Sequence, residues 1–257
     1  MSKPTPCPVS PRAAYVWRGF KSTTMDYKDF VQFLGSVFIP ACALLQPRAG
    51  LRAYLPTMIP QPNKPGGVPD QTALMFWATP CAHDEATVTL AVRVYQNLHG
   101  DAYDMTRSKT QEQPITIAGS IGALAPEQPY YLNEDDADWM LGTTLHLVGA
   151  RPDNLSSQLF LTRAGSWASS LHTDRPDGVD GALIVCGNDY VAAWIHCGEE
   201  ARPSAHAALS DLAASAIPVF WDVLAPLAIK AGLWDNWPGL DLSTTPALNI
   251  QLERSLT

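Results

Sequence analysis

Apolar positions along this chain follow two periods, and each period predicts a different element. In the first half, short runs rich in aromatic and β-branched residues, bounded by turn residues, predict strands at 13–20, 50–59 and 71–79. After the first strand, apolar residues recur at i, i+3, i+4, i+7 and i+8, which predicts an amphipathic helix capped by Asp26. Pro40 should kink or end that helix.

A second helix is predicted after the third strand. Thr79 suits the N-cap and Pro80 the first helical position, and an acidic pair follows in the first turn. Gly100 suits the residue just past the helix end, which would make His99 a cation near a helix C-terminus. The buried stripe is predicted to comprise Val88, Ala91, Val92, Tyr95 and Leu98.

The second half repeats this element order without clear residue identity. Strands are predicted at 140–150, 180–187 and 189–198, with a helix at 153–171 capped by Asp153 or Asn154. A last helical stretch is predicted at 205–234, interrupted by its prolines. Both halves therefore follow the order β-α-β-β-α.

Two successive βαββα halves resemble the ferredoxin-like modules of the dimeric α+β barrel superfamily, over residues 13–235 in element order. The resemblance implies an α+β fold in which two tandem ferredoxin-like modules pack their antiparallel sheets together as a barrel within one chain. It divides the chain into a flexible lead at 1–12, a first module at 13–110, a bridging segment at 111–138 and a second module with a C-terminal tail at 139–257.

The resemblance does not select a reaction. The superfamily includes heme-degrading and quinone-forming monooxygenases, isomerases, polyketide cyclases, heme-dependent lyases and stress proteins without a known reaction. Function must therefore be argued from a site and not from the fold.

Composition excludes several classes of protein. Of 257 residues, 46% are hydrophobic and 16% charged, which suits a sizeable core and not a disordered chain. The net charge of −8 argues against nucleic-acid and anionic-membrane partners, since both require a basic surface. The start of the chain has no secretory apolar segment, and five cysteines without a CxxC pair favour reduced thiols. We therefore expect a cytoplasmic protein.

Motifs for nucleotide, phosphate or zinc binding and for serine hydrolysis are absent from the sequence. The six histidines have no ligand spacing, so no metal and no resident cofactor are expected, with heme as the alternative. An enzyme of this sequence would use dispersed residues that the fold brings together.

Strand alternation identifies candidates for a pocket wall, because residues two apart share a face. Mixed aromatic, imidazole and guanidinium groups on one face are typical of ligand pockets, although solvent-facing or satisfied core positions would produce the same pattern. The sets that share a face are Arg52 with Tyr54, Thr144 with His146, and Tyr190 with Trp194 and His196.

His146 is the first catalytic candidate, because an imidazole in an apolar strand is expected to be neutral and could act as a general base or a heme ligand. His196 and His99 are the other catalytic candidates. The substrate-binding candidates are Arg52, Tyr54, Trp77, Arg107, Tyr190 and Trp194.

The most polar segment, residues 97–110, is predicted to lie at the rim of a pocket between the modules. It leaves a helix and must cross towards the second module, which would place Asp101, Asp104 and Arg107 between the two. The alternative is an ordinary connector with a weak surface Asp-Arg pair.

Three functional hypotheses follow. The first is an enzyme of the lyase, isomerase or monooxygenase type, acting on a hydrophobic or aromatic small molecule by acid-base or cofactor-free oxygen chemistry between the modules. The second is a heme-dependent member of the same superfamily, and the third is a non-catalytic ligand-binding protein. The oligomeric state stays open, with a homodimer as one arrangement.

Overall fold

The computed structural model describes residues 11–58, 64–110, 113–117, 119–132, 139, 143–198, 220–223 and 229–230. These residues form a mixed α+β architecture of two sheets, which are antiparallel except for one short edge pair. The six strands predicted from periodicity are confirmed, and their ends differ from the prediction by at most three residues.

The strands of the first sheet are β1 (Ala14–Gly19), β2 (Leu51–Met58), β3 (Gln71–Trp77), β4 (Lys109–Thr110) and the late strand β11 (Ile229–Lys230). Their order across the sheet is β11-β2-β3-β1-β4. All neighbouring strands of this sheet are antiparallel, and β1 lies between β3 and β4.

The strands of the second sheet are β5 (Ile115–Thr116), β6 (Tyr130–Tyr131), β7 (Thr143–Ala150), β8 (Val179–Cys186), β9 (Tyr190–Cys197) and β10 (Phe220–Val223). Their order across the sheet is β10-β7-β9-β8-β6-β5. The segment expected only to bridge the halves adds β5 and β6 to the edge of this sheet, where β6 pairs with β8.

Buried residues form three layers. The first layer lies between the first sheet and its helices, and the second layer lies between the second sheet and helix α5 (Ser157–Thr173). The inter-sheet layer contains residues of both sheets, such as Val16, Phe76, Leu183 and Trp194. The two sheets therefore pack face to face, with helices outside.

The first helical segment begins as predicted, since the Asp26 side chain accepts a hydrogen bond from the Asp29 backbone N–H at 2.7 Å. It runs as α1 (Tyr27–Phe33), a π-helical turn (Leu34–Phe38) and α2 (Ile39–Leu45). The helical path does not end at Pro40. A proline ring crowds the preceding turn, and the wider π turn lies where that crowding would fall.

The single helix predicted after β3 is two helices, α3 (Ala82–Thr87) and α4 (Leu90–Ala102). Thr89 caps α4, and Val88 is 66% exposed, so the predicted stripe was wrong at that residue. The β-branched run at 87–89 is a poor helix interior, and a threonine hydroxyl offers the backbone a cap there. Gly100 lies inside α4, because Tyr103 is buried and carries the helix one turn further.

Two other helix predictions need correction. Helix α5 is capped by Ser156, whose hydroxyl accepts from the Leu159 N–H at 3.3 Å, and not by Asp153 or Asn154. Within the predicted helix at 205–234, Phe220–Val223 and Ile229–Lys230 are strands, and the remainder lies outside the described residues. Aromatic and β-branched residues near prolines favour an edge strand over a helix.

Strand β11 also departs from the predicted division of the chain into two modules. It follows β10 along the chain but pairs with β2 of the first sheet, while β10 pairs with β7 of the second sheet. The C-terminal part of the chain therefore contributes one strand to each sheet.

The described cysteines are free thiols: Cys42, Cys186 and Cys197 are buried and Cys81 is exposed. In the same residues, none of the helices combines the length and apolarity that crossing a bilayer requires.

Candidate functional site

A partly enclosed pocket lies in the first layer, between the first sheet and the π-helical turn, α3 and α4. Its volume is about 50 Å³. We call it the aromatic pocket and define it by Trp17, Phe38, Tyr54, Trp77, Tyr95 and His99. No Asp, Glu, Lys or Arg is among the described residues that line it, so the pocket suits a neutral ligand.

Alternation and helical spacing together build this pocket. Trp17 on β1, Tyr54 on β2 and Trp77 on β3 all belong to the face of the first sheet that packs on the helices. Tyr95 and His99 are four residues apart on α4 and therefore share a helix face. Three strands and one helix thus direct aromatic rings into the same volume.

His99 is the titratable group that the rings surround. Its ring centroid lies 4.7 Å from those of Trp17 and Phe38. Burial lowers the pKa of His99 to about 4, so the ring is neutral near pH 7. Its Nδ1–H donates to the Gln96 carbonyl oxygen at 3.1 Å, which leaves the lone pair on Nε2. His99 can therefore accept a hydrogen bond or a proton.

The two tyrosines of the pocket are also uncharged. Burial raises the pKa of Tyr54 and of Tyr95 well above the ordinary value, and the neighbouring Cys42 adds to both shifts, so the phenols stay protonated. The Trp77 indole N–H and the Gln46 Oε1 are buried without a hydrogen-bond partner. A buried donor and acceptor left unpaired are costly, and a bound ligand could satisfy both.

His146, the first candidate, lies in the inter-sheet layer and not in the aromatic pocket. Its Nδ1–H donates to the Ala193 carbonyl at 2.9 Å, and its Nε2 accepts from the Thr72 hydroxyl at 2.9 Å. The ring stacks on Trp194 at 4.5 Å. Burial lowers the pKa of His146 to about 4. Because both nitrogens have protein partners, His146 joins the two sheets and has no lone pair for substrate or iron.

His196 also faces the inter-sheet layer. Its Nδ1 pairs with the Asp180 carboxylate, and its ring packs against Trp139 with 5.2 Å between centroids. The imidazole is 3% exposed, whereas the Asp180 side chain is half exposed. This pair lies apart from the aromatic pocket, because His196 and the pocket residues are on different sheets.

The predicted substrate-binding residues divide between sites. Arg52 and Tyr54 do not share a face, because a β-bulge between Leu51 and Ala53 leaves Arg52 exposed while Tyr54 is buried in the first layer. Trp77 lines the aromatic pocket. Trp194 is core in the inter-sheet layer, so the expected pocket between the sheets is filled there.

Arg107 and Tyr190 line a second, open cavity of about 300 Å³. We call it the polar cleft and define it by Arg18, Phe20, Arg107, Lys109, Glu127 and Tyr190. It lies between the end of β1 and the β8–β9 turn, so this part of the polar segment does lie between the two sheets. His99 and Asp101 do not, because they belong to α4.

The aromatic pocket does not fit heme. Pockets for drug-sized ligands run from roughly 300 Å³ upwards, well above the volume of this one. His99 is its neutral imidazole with an open Nε2, but the surrounding rings leave no space for a macrocycle. No cluster of three metal-ligating side chains occurs among the described residues.

Sequence reasoning missed several residues of these sites. The sequence does not single out three residues of the aromatic pocket as site residues, namely Trp17, Tyr95 and Gln46. The four-residue spacing of Tyr95 and His99 could nevertheless have placed both in one wall. Arg18 and Glu127 meet only in three dimensions, since 109 residues separate them along the chain. No local pattern could have paired them.

Comparisons with known proteins give no family. No protein-family model matches the chain, and no curated protein matches it. Among solved structures it is similar to candidate monooxygenases from Lactobacillus acidophilus (7% identity, TM-score 0.34, covering 84% of this chain and 92% of that one) and Fusobacterium nucleatum (8%, 0.35, 84% and 96%). It is also similar to an anthrone oxidase-like protein (9%, 0.37, 89% and 99%). Likeness at this level assigns neither a family nor an activity.

Proposed function

We propose that the protein is a cofactor-free enzyme that acts on a small neutral hydroxyarene in the aromatic pocket. The observation that carries the proposal is His99, a neutral imidazole with its Nε2 lone pair available, inside a wall of aromatic rings. Aromatic walls favour a flat aromatic ligand by burial and ring contacts. The absence of Asp, Glu, Lys and Arg from the described lining favours a neutral one.

In this proposal His99 takes the proton of the substrate hydroxyl. Its low pKa makes it a weak base in the empty pocket, but the phenolate formed beside it would favour the imidazolium. The unpaired Trp77 N–H and the protonated tyrosine hydroxyls are the donors available to the phenolate oxygen. An electron-rich phenolate of a hydroquinone can then give two electrons and its second proton to O₂, which takes the first proton from the His99 imidazolium; the products are a quinone, hydrogen peroxide and neutral His99.

The small volume limits the substrate. About 50 Å³ admits a few water molecules, so even a single-ring compound requires some movement of Phe38 or of the α4 side chains. Single-ring hydroxyarenes therefore fit the proposal better than polycyclic ones. The same restriction supports a reaction without heme.

We also propose that the fold is a single-chain version of the dimeric α+β barrel plan. The orders β2-β3-β1-β4 and β8-β9-β7-β10 are equivalent and antiparallel, as two ferredoxin-like modules would require. The site would then lie within the first module and not between the modules.

The test uses hydroquinone and catechol, with anthrone as a larger probe suggested by the name of one structural neighbour. Binding is followed by quenching of tryptophan fluorescence, and turnover by oxygen uptake and quinone absorbance above the protein-free rate. His99→Phe keeps an aromatic ring and removes the lone pair. We expect turnover to fall at least about 100-fold with little change in binding.

Asn97→Ala is the matched control, since Asn97 lies exposed on the same helix. It should leave both measurements unchanged. Binding without turnover in the unaltered protein would favour the ligand-binding alternative. Equal turnover in the protein and in His99→Phe would refute the assigned role of His99.

A further inference from the structure

The polar cleft collects cations on a protein whose net charge is −8. Arg18 lies at the end of β1, and Arg107 and Lys109 lie on the segment that leads into β4. The acidic residues in the described lining are Glu127 and Asp189. Two of the three cations, Arg18 and Arg107, are fixed by contacts with neighbouring residues.

Arg18 forms the floor of the cleft. It is 3% exposed, and its guanidinium holds the Glu127 carboxylate through both terminal nitrogens. The same group donates to the Tyr190 hydroxyl at 3.2 Å. Its Nε is buried without a hydrogen-bond partner. A buried guanidinium with an unused donor is expensive unless a further acceptor approaches.

Glu127 binds the Arg18 guanidinium from a strained backbone conformation. Its φ of 73° is in the left-handed region, where a non-glycine residue carries a conformational cost. Its side chain is 35% exposed and also lies 3.1 Å from the Lys109 ammonium. Glu127 therefore shows how a carboxylate binds here, and it neutralises one of the three cations.

Arg107 is held in place by two contacts, and the Asp104 carboxylate is close enough to feel its charge: hydrogen bonds from Thr106 and, to a smaller extent, the charge of Arg107 lower the pKa of Asp104. The Arg107 guanidinium lies 4.0 Å over the Phe20 ring, and it donates to the Gly66 carbonyl at 2.5 Å. It forms no ion pair with any residue in the described parts of the chain. Stacking on an aromatic face and one backbone contact orient the guanidinium and leave other N–H groups for a ligand.

Asp189 does not offset these charges, because its carboxylate is bound to Arg151 at 2.6 and 2.9 Å. The described lining thus sets three cations against the single carboxylate of Glu127, with Asp104 near Arg107 but outside the lining, so the lining itself is net positive. We propose that the polar cleft binds a compact dianion, the chemistry shared by a phosphate group and a small dicarboxylate. The dianion would contact Arg107 and Lys109 at the opening above Arg18.

This site is separate from the aromatic pocket by the thickness of one sheet. Trp17 and Arg18 are consecutive on β1 and pair with Thr110 and Lys109 of β4. Trp17 and Thr110 line the aromatic pocket, whereas Arg18 and Lys109 line the polar cleft. The two proposals therefore rest on different residues and can fail independently.

The test is titration of the full chain with sodium phosphate and with sodium malonate, at mildly alkaline pH and constant ionic strength. Thermal midpoint and calorimetric affinity are measured, with sodium acetate as the monoanion. A ligand that binds only the folded state raises the midpoint. We expect phosphate, malonate or both to raise it while acetate does not, and the better of the two identifies the class of dianion.

Substitutions locate the binding. Arg107→Gln and Lys109→Gln should each weaken it about tenfold, because each removes one charge-assisted contact. Glu127→Gln should strengthen it by a similar factor, since it frees the Arg18 guanidinium. Arg93→Gln is the control, because Arg93 is exposed on α4 and outside the cleft.

An equal midpoint in all three salts would overturn the proposal, and so would an Arg93→Gln effect as large as that of Arg107→Gln. If Glu127→Gln does not fold, the exposed Arg107 and Lys109 substitutions still decide the question. Loss of dianion binding in both, with unchanged hydroxyarene binding, is the expected pattern.

Discussion

The two helix-sheet layers of this molecule follow the same plan and are filled differently. The first layer packs tyrosine, tryptophan and phenylalanine rings between its sheet and α1, α2 and α4, and it contains the aromatic pocket. The second layer packs α5 on the second sheet through Phe160 and Trp167 together with leucine, alanine and glycine positions. The aromatic pocket therefore lies in one of two layers of similar plan.

In the second layer, small residues let the backbone come close. Gly165 on α5 lies so near residues 122 and 123 that an added Cβ would be 3.0 Å from the Ala123 Cα. The Leu124 N–H donates to the Leu161 carbonyl at 3.2 Å, and the Ile121 N–H donates to the Ser169 hydroxyl at 2.8 Å. This segment covers the helix and leaves little space.

The aromatic pocket in the first layer arises from the shape of the rings around it. Phe38, Tyr95 and His99 meet at steep or tilted angles, with centroids about 5 Å apart. Edge-to-face rings contact well at their rims but do not interdigitate as branched aliphatic chains do. The position of a site within a symmetric plan is therefore decided by side-chain shape and not by topology.

The largest expected effect concerns acid stability and the filled inter-sheet layer. The folded-state pKa of His146 is about 4, below the value of about 6.5 in an unfolded chain, so the unfolded state takes up the proton first as pH falls. Stability is then fully present above about pH 6.5 and is lost as pH falls towards 4, by up to about 3 kcal/mol for this group.

His146→Leu should lower the free energy of unfolding by about 2 kcal/mol near neutral pH, because the Thr72 hydroxyl loses its buried partner. It should also flatten the pH dependence, so that urea-unfolding curves of the variant and the unaltered protein converge near pH 4.5. Thr72→Val breaks the same hydrogen bond but keeps the imidazole. An acid dependence as flat in Thr72→Val as in His146→Leu would contradict this assignment.

The next effect compares two helical glycines. Gly165→Leu should lower the free energy of unfolding by about 2 kcal/mol, because its side chain meets the backbone at 122 and 123. Gly100→Leu on α4 should raise it by about 0.5 kcal/mol, because nothing lies within 4 Å and leucine is the better helix former. Urea unfolding of both variants measures the pair, and the same sign for both would remove the contrast between the layers.

The smallest effect concerns the helix caps of the two layers. Thr89→Ala and Ser156→Ala each remove an N-cap side chain and should each cost about 1 kcal/mol in urea unfolding. Only Thr89→Ala should also weaken hydroxyarene binding, because α4 forms a wall of the aromatic pocket. Equal binding in the two variants would show that the start of α4 does not position the wall.

Much of this fold was predictable because burial leaves a periodic signal. The strands at β1, β2, β3, β7, β8 and β9 were expected from local pattern, and Asp26 was correctly identified as a cap. The same alternation correctly grouped Tyr190, Trp194 and His196 on one face. These features depend on residues close in sequence, where side-chain direction follows from backbone geometry alone.

The site was only partly predictable. The candidates included His99, Tyr54 and Trp77, which do line one pocket. Arg52 does not, because a β-bulge that no sequence pattern reveals turns it to another face. His146 was expected to face a ligand, but Thr72, on the other sheet, occupies its free nitrogen. Which neighbour reaches a buried polar atom depends on how the two sheets meet.

The sequence by itself therefore determined six of the strands, most of the helical segments and, for most of these strands, which face is buried. Only the tertiary structure decided which buried face holds the aromatic pocket, which charges meet across the cleft, and that β10 and β11 are strands with partners on different sheets. The physical reason is range. Periodicity records each segment's preference for burial, whereas cavities, ion pairs and sheet edges arise from contacts between residues far apart in the chain, whose partners no local pattern specifies.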